Sequence, residues 1–232
     1  MCRLLGIKGF DAARHHEVIE AFFGLATGGM VLEGDSAGHL DGWGLAYYEQ
    51  GAARIIKSGA SLVAERGRFF DAVKAIGETP VLIVHLRKSA WKGTTAERHA
   101  HPFEHRGLVL AHNGTIRDYA SLLPELQKEN LPAGDALDTE VYLRYVANYN
   151  EGSTEKSFLA AVHRIREKNT YTSLNALLSD GSNLCAYRDY TKYPDYYSFF
   201  HARVNGAEVV SSEQLLPAVT WHSMENGALL TF

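Results

Sequence analysis

The stretch MCRLLGIKGF, residues 1–10, places a cysteine directly before an apolar segment that is predicted to form the first β-strand. A cysteine at position 2 is usually incidental, because chain ends fray. Cysteine is also a small residue, so the initiator methionine is expected to be removable, which would leave Cys2 with a free α-amine. A thiol and an amine on one residue make a nucleophile with a built-in base. The remaining sequence has to distinguish these two interpretations.

The composition is ordinary for a globular protein. The chain has 232 residues, enough for a full core, and we expect a single domain over residues 1–232. Hydrophobic residues make up 46% and charged residues 22%. The net charge is −4 and no basic run occurs, so nucleic acid and anionic membranes are not expected as partners.

Targeting and redox features predict a cytoplasmic protein. No apolar stretch approaches the ~20 residues of a membrane span. Arg3 and Lys8 lead into no long apolar region of the kind that a signal peptide has. The two cysteines, Cys2 and Cys185, make no disulfide framework, which indicates a reducing compartment. Cys185 is expected to be a small buried strand residue.

Apolar periodicity predicts strands and helices in blocks. The predicted helices lie within residues 15–29, 65–77, 117–130, 137–149 and 154–169. The predicted strands lie within residues 2–9, 45–59 (two strands around a glycine turn), 80–86, 107–113, 173–188 (a hairpin turning at SDGSN), 196–204, 207–212, 218–223 and 227–232. A polar loop is predicted between Arg87 and Arg106. Blocks of this kind, without strict βαβ alternation, predict an α+β fold with largely antiparallel sheets.

The stretch LVLAHNGTI, residues 108–116, runs from an apolar strand into Asn113 and Gly114. The simpler interpretation is a strand end followed by a turn, since Asn-Gly is the commonest turn dipeptide. The functional alternative is an oxyanion hole, in which the Asn113 amide and the Gly114 N–H converge on one oxygen.

Three other side chains have both a structural and a functional interpretation. Arg87 follows an apolar strand and is either a solvated surface residue or a planar fork for a carboxylate. Asp138 is either the N-cap of a helix or the partner of a ligand ammonium. Trp43, in the motif DGWG of residues 41–44, either closes a tight loop over a pocket or packs in the core.

Taken together, the motifs resemble those of one family. An N-terminal cysteine followed in order by DGWG, HLR, AHPF, HNG and LDTE resembles the class II glutamine amidotransferases, which are N-terminal-nucleophile hydrolases. The match in order and spacing covers residues 2–145. The segments LLSDGSNLCAYR and VVSSEQL resemble the closing strands of stand-alone members. The chain departs from the synthase-fused members after Arg87, where it has Lys-Ser-Ala-Trp-Lys in place of a Trp-Ala-Thr-type run.

The resemblance implies a fold and a reaction. The fold is α+β, a four-layer αββα sandwich of two mostly antiparallel sheets. Cys2, after loss of Met1, would attack a γ-glutamyl amide with its own α-amine as base, and Asn113 and Gly114 would hold the oxyanion. The products would be glutamate and ammonia, with no cofactor and no metal.

The resemblance also implies a set of substrate contacts. Arg87 would bind the α-carboxylate of glutamine and Asp138 its α-ammonium. Trp43 and His101, from the DGWG and AHPF motifs, would also belong to the substrate site.

Three alternatives stay open at this point. His99, His101 and His105 are spaced closely enough to bind zinc. If Met1 is retained, the protein could bind glutamine without cleaving it. The hydrolase fold is expected to use the whole chain, so the ammonia either passes to a separate synthase or the protein is an amidohydrolase of a γ-glutamyl peptide or conjugate.

Overall fold

The computed structural model describes residues 2–149 and 151–232 of the chain. Met1, on whose removal the expected mechanism depends, lies outside these residues. The strands of the described part are β1 Arg3–Asp11, β2 Trp43–Glu49, β3 Ala52–Ser58, β4 Glu78–Leu86, β5 Phe103–His105, β6 Leu108–Ile116, β7 Tyr171–Ser179, β8 Leu184–Tyr187, β9 Phe200–Val204, β10 Ala207–Ser211, β11 His222–Ser223 and β12 Leu229–Thr231. Its α-helices are α1 His16–Gly28, α2 Arg66–Ile76, α3 Asp138–Asn148 and α4 Thr154–Lys168.

The strands form two sheets whose pairings are antiparallel. The larger sheet has the order β11-β9-β10-β1-β4-β2-β3 and the smaller β12-β8-β7-β6-β5. Strand β1 is therefore an interior strand between β10 and β4. Because Arg3 pairs with Leu86, the next residues outward, Cys2 and Arg87, are neighbours at the end of the sheet.

Four layers enclose three apolar cores. Helices α1 and α2 cover one face of the larger sheet, where Phe22 and Phe69 are fully buried. Helices α3 and α4 cover the smaller sheet in the same way through Phe158. The third core lies between the sheets and includes Leu4 and Leu177. This arrangement confirms the predicted αββα sandwich.

Strand β1 shows how the sequence produces these layers. Its side chains alternate, so that Leu5 and Ile7 face the helices and Leu4 faces the second sheet. Gly6 also faces the second sheet, where an added Cβ would lie 3.0 Å from the Leu184 side chain. The glycine therefore lets the two sheets approach closely.

Two predicted segments differ from the structure. Residues 117–130 are not an α-helix but two short 3-10 segments, Tyr119–Glu125 and Lys128–Asn130. Pro124 lies in the first and cannot donate the backbone hydrogen bond that an α-helix needs. The predicted polar loop 87–106 contains a 3-10 turn at Glu97–His99 and the whole of the short strand β5.

Candidate active site

Cys2 and Asn113 meet across the gap between the two sheets. Cys2 precedes β1 of the larger sheet, and Asn113 lies on β6 of the smaller one. The backbone nitrogen of Cys2 donates a hydrogen bond to Asn113 Oδ1 over 3.1 Å. The two residues are 111 positions apart in sequence, so only the sandwich brings them together.

The thiol of Cys2 lies in a mostly dry environment. Cys2 is 7% exposed, and its Sγ lies 3.7 Å from the carbonyl oxygen of Lys88. Burial raises the pKa of the thiol, while the nearby charges of Arg87 and Arg3 act in the opposite direction. A thiol with a raised pKa is mainly protonated at neutral pH and therefore needs a base before it can attack.

The other half of the Asn113 amide is uncommitted in the described structure. Asn113 Nδ2 is buried and has no hydrogen-bond partner among the described residues. Buried polar groups are nearly always paired, so an orphan of this kind needs an explanation. An amide donor beside a cysteine thiol is suited to receive an oxyanion when a substrate is present.

Gly114 lies inside strand β6, not at a turn. The strand continues to Ile116, with a register shift against β7 between Gly114 and Ile116. The interpretation of Asn113-Gly114 as a strand end with a turn is therefore wrong. A Cβ on Gly114 would lie 1.9 Å from the Ser173 carbonyl oxygen, so no other residue fits there.

Arg87 is buried beside Cys2 and is not a solvated surface residue. Its guanidinium donates to the Thr94 carbonyl and, over 3.1 Å, to Thr94 Oγ1. Burial lowers the pKa of Arg87, while Cys2, Asp41 and Asp138 act to raise it. The group stays cationic, since arginine is not deprotonated in proteins.

The DGWG motif holds Arg87 from the backbone side. The N–H of Arg87 donates to the Gly42 carbonyl over 2.9 Å, and the N–H of Asp41 donates to the Arg87 carbonyl over 2.9 Å. Gly42 has φ 125°, and an added Cβ would lie 2.8 Å from the Ser58 carbonyl oxygen. The motif therefore fixes the position at which the guanidinium leaves the sheet.

Asp138 begins helix α3, but it does not cap it. The N-cap residue is Leu137, without a side-chain cap, so the N-cap interpretation of Asp138 is wrong. Its Oδ2 accepts the Ile116 N–H at 2.9 Å and its Oδ1 accepts the Trp91 Nε1–H at 3.3 Å. Burial raises the pKa of Asp138. Each carboxylate oxygen has two lone pairs, so the group can still accept from a ligand ammonium.

Trp43 packs in the core, as the structural interpretation holds. The ring is fully buried, lies edge-on to Phe69 with centroids 5.4 Å apart, and donates Nε1–H to Glu65 Oε2 over 2.8 Å. It belongs to the core under α1 and α2, on the opposite face of the larger sheet from the second sheet. Trp43 is thereby separated from Cys2 and supports the site only through the motif around it.

Buried histidines surround the site. His101 is 8% exposed and its ring centroid lies 4.3 Å from that of His85. His112 Nε2 lies 2.9 Å from the Ser173 carbonyl and its Nδ1 lies 3.1 Å from Thr139 Oγ1. Burial lowers the pKa of each of these three histidines. The rings are therefore neutral at physiological pH.

The three histidines of the zinc alternative do not form a centre. His99 lies in a 3-10 turn, His101 stacks on His85, and His105 Nε2 is engaged by Asn130 Oδ1 at 2.9 Å. Over residues 2–149 and 151–232 no group of three or more histidine, cysteine or acidic side chains could hold a metal ion.

Sequence patterns missed several residues of the site. Trp91 and Thr94, which contact Asp138 and Arg87, come from a loop without periodicity, so nothing marked them. Lys88 contributes its carbonyl oxygen, which no side-chain motif can signal. Arg3 did give a signal, because a charged residue within an apolar strand is rarely fully buried without a specific partner.

A separate cleft lies outside this site. It has a volume of about 740 Å³ and lies between α1 and α2, lined in part by His16, Phe70 and Lys74. None of the predicted site residues lines it, and it contains no cysteine.

The family is decided by comparison with known proteins. The family model for class II glutamine amidotransferases matches residues 1–197. The chain belongs to the class II glutamine amidotransferases.

Relatives of this amidotransferase differ greatly in length. A protein of Methanocaldococcus jannaschii, named only as uncharacterized, is 28% identical over 85% of this chain and 62% of its own. The Escherichia coli (strain K12) protein YafJ is 27% identical over 81% of this chain and 72% of its own. The glutamine–fructose-6-phosphate aminotransferase of Symbiobacterium thermophilum is 30% identical over 51% of this chain and 20% of its own. The chain thus spans less than two thirds of the first and third of these relatives.

Solved structures share the fold of this amidotransferase over nearly its whole length. The glutamine phosphoribosylpyrophosphate amidotransferase of B. subtilis superimposes with a TM-score of 0.71 at 16% identity, over 99% of this chain and 47% of its own. A glutamine aminotransferase class-II domain protein of Silicibacter pomeroyi superimposes with a TM-score of 0.68 at 18% identity, over 99% of this chain and 94% of its own. Among the described residues of the amidotransferase, no helix combines the length and apolarity needed to cross a bilayer.

Proposed function

We propose that this amidotransferase hydrolyses a γ-glutamyl amide, with glutamine as the first donor to test, using Cys2 as the nucleophile after removal of Met1. The observation that carries the proposal is that the two ends of the Asn113 side-chain amide have different environments. Its Oδ1 accepts from the Cys2 nitrogen at 3.1 Å, while the Nδ2 of the same amide is buried and has no hydrogen-bond partner among the described residues. This geometry orients a base and offers an oxyanion donor from one side chain.

The proposed reaction has two halves. The α-amine of Cys2, with an ordinary pKa near ~8, accepts the thiol proton as Sγ bonds to the amide carbon. The carbonyl oxygen becomes an oxyanion held by Asn113 Nδ2 and the Gly114 N–H. The C–N bond then breaks, the ammonium of Cys2 returns the proton to the departing nitrogen, and ammonia leaves. Water attacks the resulting thioester, which releases glutamate and regenerates the thiol.

Recognition of the amino-acid head is assigned to Arg87 and Asp138. Both are buried, Arg87 interacts electrostatically with Cys2 and with Asp138, and the two side chains carry opposite charges that match an α-carboxylate and an α-ammonium. Arg87 is held by Thr94 and Asp138 by Trp91, so both groups are already oriented. His101 lies buried against His85 and is proposed to shape the wall of the site.

The fate of the ammonia is part of the proposal. We assign it to a separate acceptor enzyme or to release, and the reaction requires no cofactor. Since a thiol nucleophile has to stay reduced, we place the protein in the cytoplasm. Initial rates of glutamate release from glutamine and from a γ-glutamyl dipeptide will show which donor is preferred, with ammonia as the second product of glutamine and the free amino acid as the second product of the dipeptide.

Affinity labelling tests the nucleophile directly. A diazoketone analogue of glutamine should modify Cys2, because the analogue places its electrophile where the amide carbon would lie. Cys185 should stay unmodified, since it is buried on β8 and burial raises its pKa to about 11. Peptide mapping after labelling identifies the modified residue, and the intact mass shows whether Met1 is absent.

Two variants serve as controls for the label. Cys185→Ser should retain both labelling and turnover, whereas Cys2→Ser should fold normally and lose both. Label found on Cys185 alone, or full turnover by Cys2→Ser, would exclude Cys2 as the nucleophile. A labelled protein that still carries Met1 would contradict the α-amine as base.

A further inference from the structure

Arg3 is a fully buried arginine directly behind the proposed nucleophile. Its Nη1 donates to the carbonyl oxygen of Cys2 over 3.0 Å and to that of Tyr196 over 3.4 Å. Its Nη2 donates to the carbonyl oxygen of Met30. The guanidinium carbon also lies 4.8 Å from the centre of the Tyr196 ring, a cation–π contact.

Glu213 neutralises this buried charge. Its Oε1 lies 2.5 Å from Arg3 Nε, and the same oxygen accepts the Met30 N–H over 2.9 Å. The Arg3 side chain has no exposed surface, and the Glu213 side chain is 23% exposed. An isolated charge at such a depth is costly, so the carboxylate is what allows an arginine there.

The pair joins segments that are distant in sequence. Glu213 follows β10, Met30 follows α1, and Tyr196 lies in the segment between β8 and β9. The Leu4 N–H also donates to Ser212 Oγ over 3.0 Å, which fixes β1 to the same end of β10. The backbone next to Cys2 is therefore held by contacts other than the one with Asn113.

We propose that Arg3 and Glu213 act as a positioning pair for Cys2, in which Arg3 fixes the Cys2 carbonyl and Glu213 sets how much positive charge the thiol experiences. This inference rests on the proposed function of Cys2 as the nucleophile. Arg3 is one of the charges that lower the pKa of the thiol. A neutralised guanidinium supports the thiolate less than a free one does, so Glu213 controls the strength of that effect.

Glu213→Gln tests the charge of the pair with little change in shape. The glutamine retains an oxygen that can accept from Arg3 Nε, but it carries no negative charge. The matched control is Glu208→Gln, on strand β10 just before Glu213, where Glu208 forms a solvent-accessible ion pair with Arg203 at 3.8 Å. The readout is the rate of Cys2 alkylation by iodoacetamide against pH, with the modified peptide quantified by mass spectrometry.

We expect the alkylation midpoint of Glu213→Gln to move to lower pH by about 0.5 to 1 unit, because an uncompensated charge near the thiol favours the thiolate. Glu208→Gln should follow the wild-type profile. A residue with a purely structural role would change the unfolding midpoint without moving the alkylation profile to lower pH.

Arg3→Lys tests the geometry of the pair. Lysine keeps the charge but lacks the fork that reaches several carbonyl oxygens at once. We expect kcat to fall by about tenfold or more while KM changes by less than about threefold, since a misplaced nucleophile slows chemistry more than binding. If Arg3→Lys does not fold, Glu213→Gln still decides the proposal.

The outcomes separate this inference from the proposed function. An unshifted alkylation profile for Glu213→Gln, with normal glutamine turnover by the wild type, overturns the positioning pair and leaves the nucleophile intact. A shifted profile in a protein that turns over no γ-glutamyl donor supports the pair and overturns the proposed reaction.

Discussion

At the scale of single residues, Asn113 has two tasks that a kinetic experiment can separate from those of Arg87. Its Oδ1 holds the Cys2 nitrogen and its Nδ2 is free to donate. Arg87 and Asp138 contact neither of these atoms in the described structure. In the proposed mechanism, chemistry and head-group recognition are assigned to different side chains.

Arg87→Lys and Asn113→Ala should have opposite kinetic effects. Arg87→Lys keeps the charge but loses the bidentate fork, so KM for glutamine should rise by about tenfold or more while Cys2 reacts normally with iodoacetamide. Asn113→Ala removes an oxyanion donor, which typically costs about 3 kcal/mol, so kcat should fall about a hundredfold or more with KM little changed. Steady-state kinetics with glutamine measures both. A raised KM with unchanged kcat in Asn113→Ala would make Asn113 a ground-state binding residue.

The sequence was informative about which residues lie near one another, and less informative about how each side chain is packed. Cys2, Arg87, Asn113 and Asp138 were found through short motifs, and the structure brings them together. Trp43 shows the limit, since two glycines around a tryptophan occur equally beside a cleft or in a core. Only the position of α2 on that face of the sheet decides between them.

At the scale of elements, β6 illustrates how a turn signal can be overridden. Asn-Gly favours a turn locally, yet the strand continues because Gly114 is pressed against the Ser173 carbonyl of β7. For residues 117–130 the predicted α-helix is wrong. Their apolar spacing suits an α-helix, but Pro124 interrupts it. In β6, packing against β7 overrides the local preference for a turn. In residues 117–130, the backbone donor that Pro124 lacks overrides the apolar periodicity.

Two glycine substitutions should change stability in opposite directions. In Gly114→Ala the new methyl would lie 1.9 Å from a carbonyl oxygen, so the free energy of unfolding should fall by about 3 kcal/mol or more. Gly24 is exposed on α1 with no heavy atom near its added Cβ, so Gly24→Ala should raise that free energy by about 0.5 to 1 kcal/mol. Urea unfolding of both variants checks this. Wild-type stability in Gly114→Ala would show that β6 can move away from β7.

At the scale of the whole molecule, the two antiparallel sheets and their helical layers were predictable, but the strand order was not. The alternating side chains of β1 and the apolar run of β4 indicate that both strands are buried. Neither pattern indicates which strands lie beside them. Strand β1 pairs with β10 about 200 residues later in the chain. Pairing over such a distance depends on the complete set of strands, so a single segment cannot reveal it.

The buried histidines predict how stability depends on pH. Burial lowers the pKa of His85, His101 and His112 in the folded protein, whereas an unfolded chain has the ordinary value near ~6.5. The unfolded state therefore binds more protons as pH falls below that value, and stability is lost on acidification. The free energy of unfolding should therefore fall progressively between pH 7 and pH 5.5. The raised pKa of Asp138 acts in the opposite sense, but one carboxyl cannot offset three histidines.

Urea unfolding at several pH values measures this dependence. His101→Asn should flatten the dependence, because one of the three groups is removed. His163→Asn should leave it unchanged, since His163 lies on α4 with 77% of its side chain exposed. An unfolding free energy that stays constant down to pH 5.5 would show that the buried rings are already accessible to protons.

The interior position of β1 sets an order of events during synthesis. Strand β10, one of its two neighbours, leaves the ribosome about 10 to 40 s after β1 at ordinary translation rates. Until then the nitrogen of Cys2 cannot be held in its final place, and an aminopeptidase has free access to the nascent chain. Once β10 and Glu213 arrive, that nitrogen is enclosed against Asn113. We therefore expect removal of Met1 by the aminopeptidase to compete in time with folding. In a host that overproduces the chain, part of the protein is expected to fold with Met1 still attached.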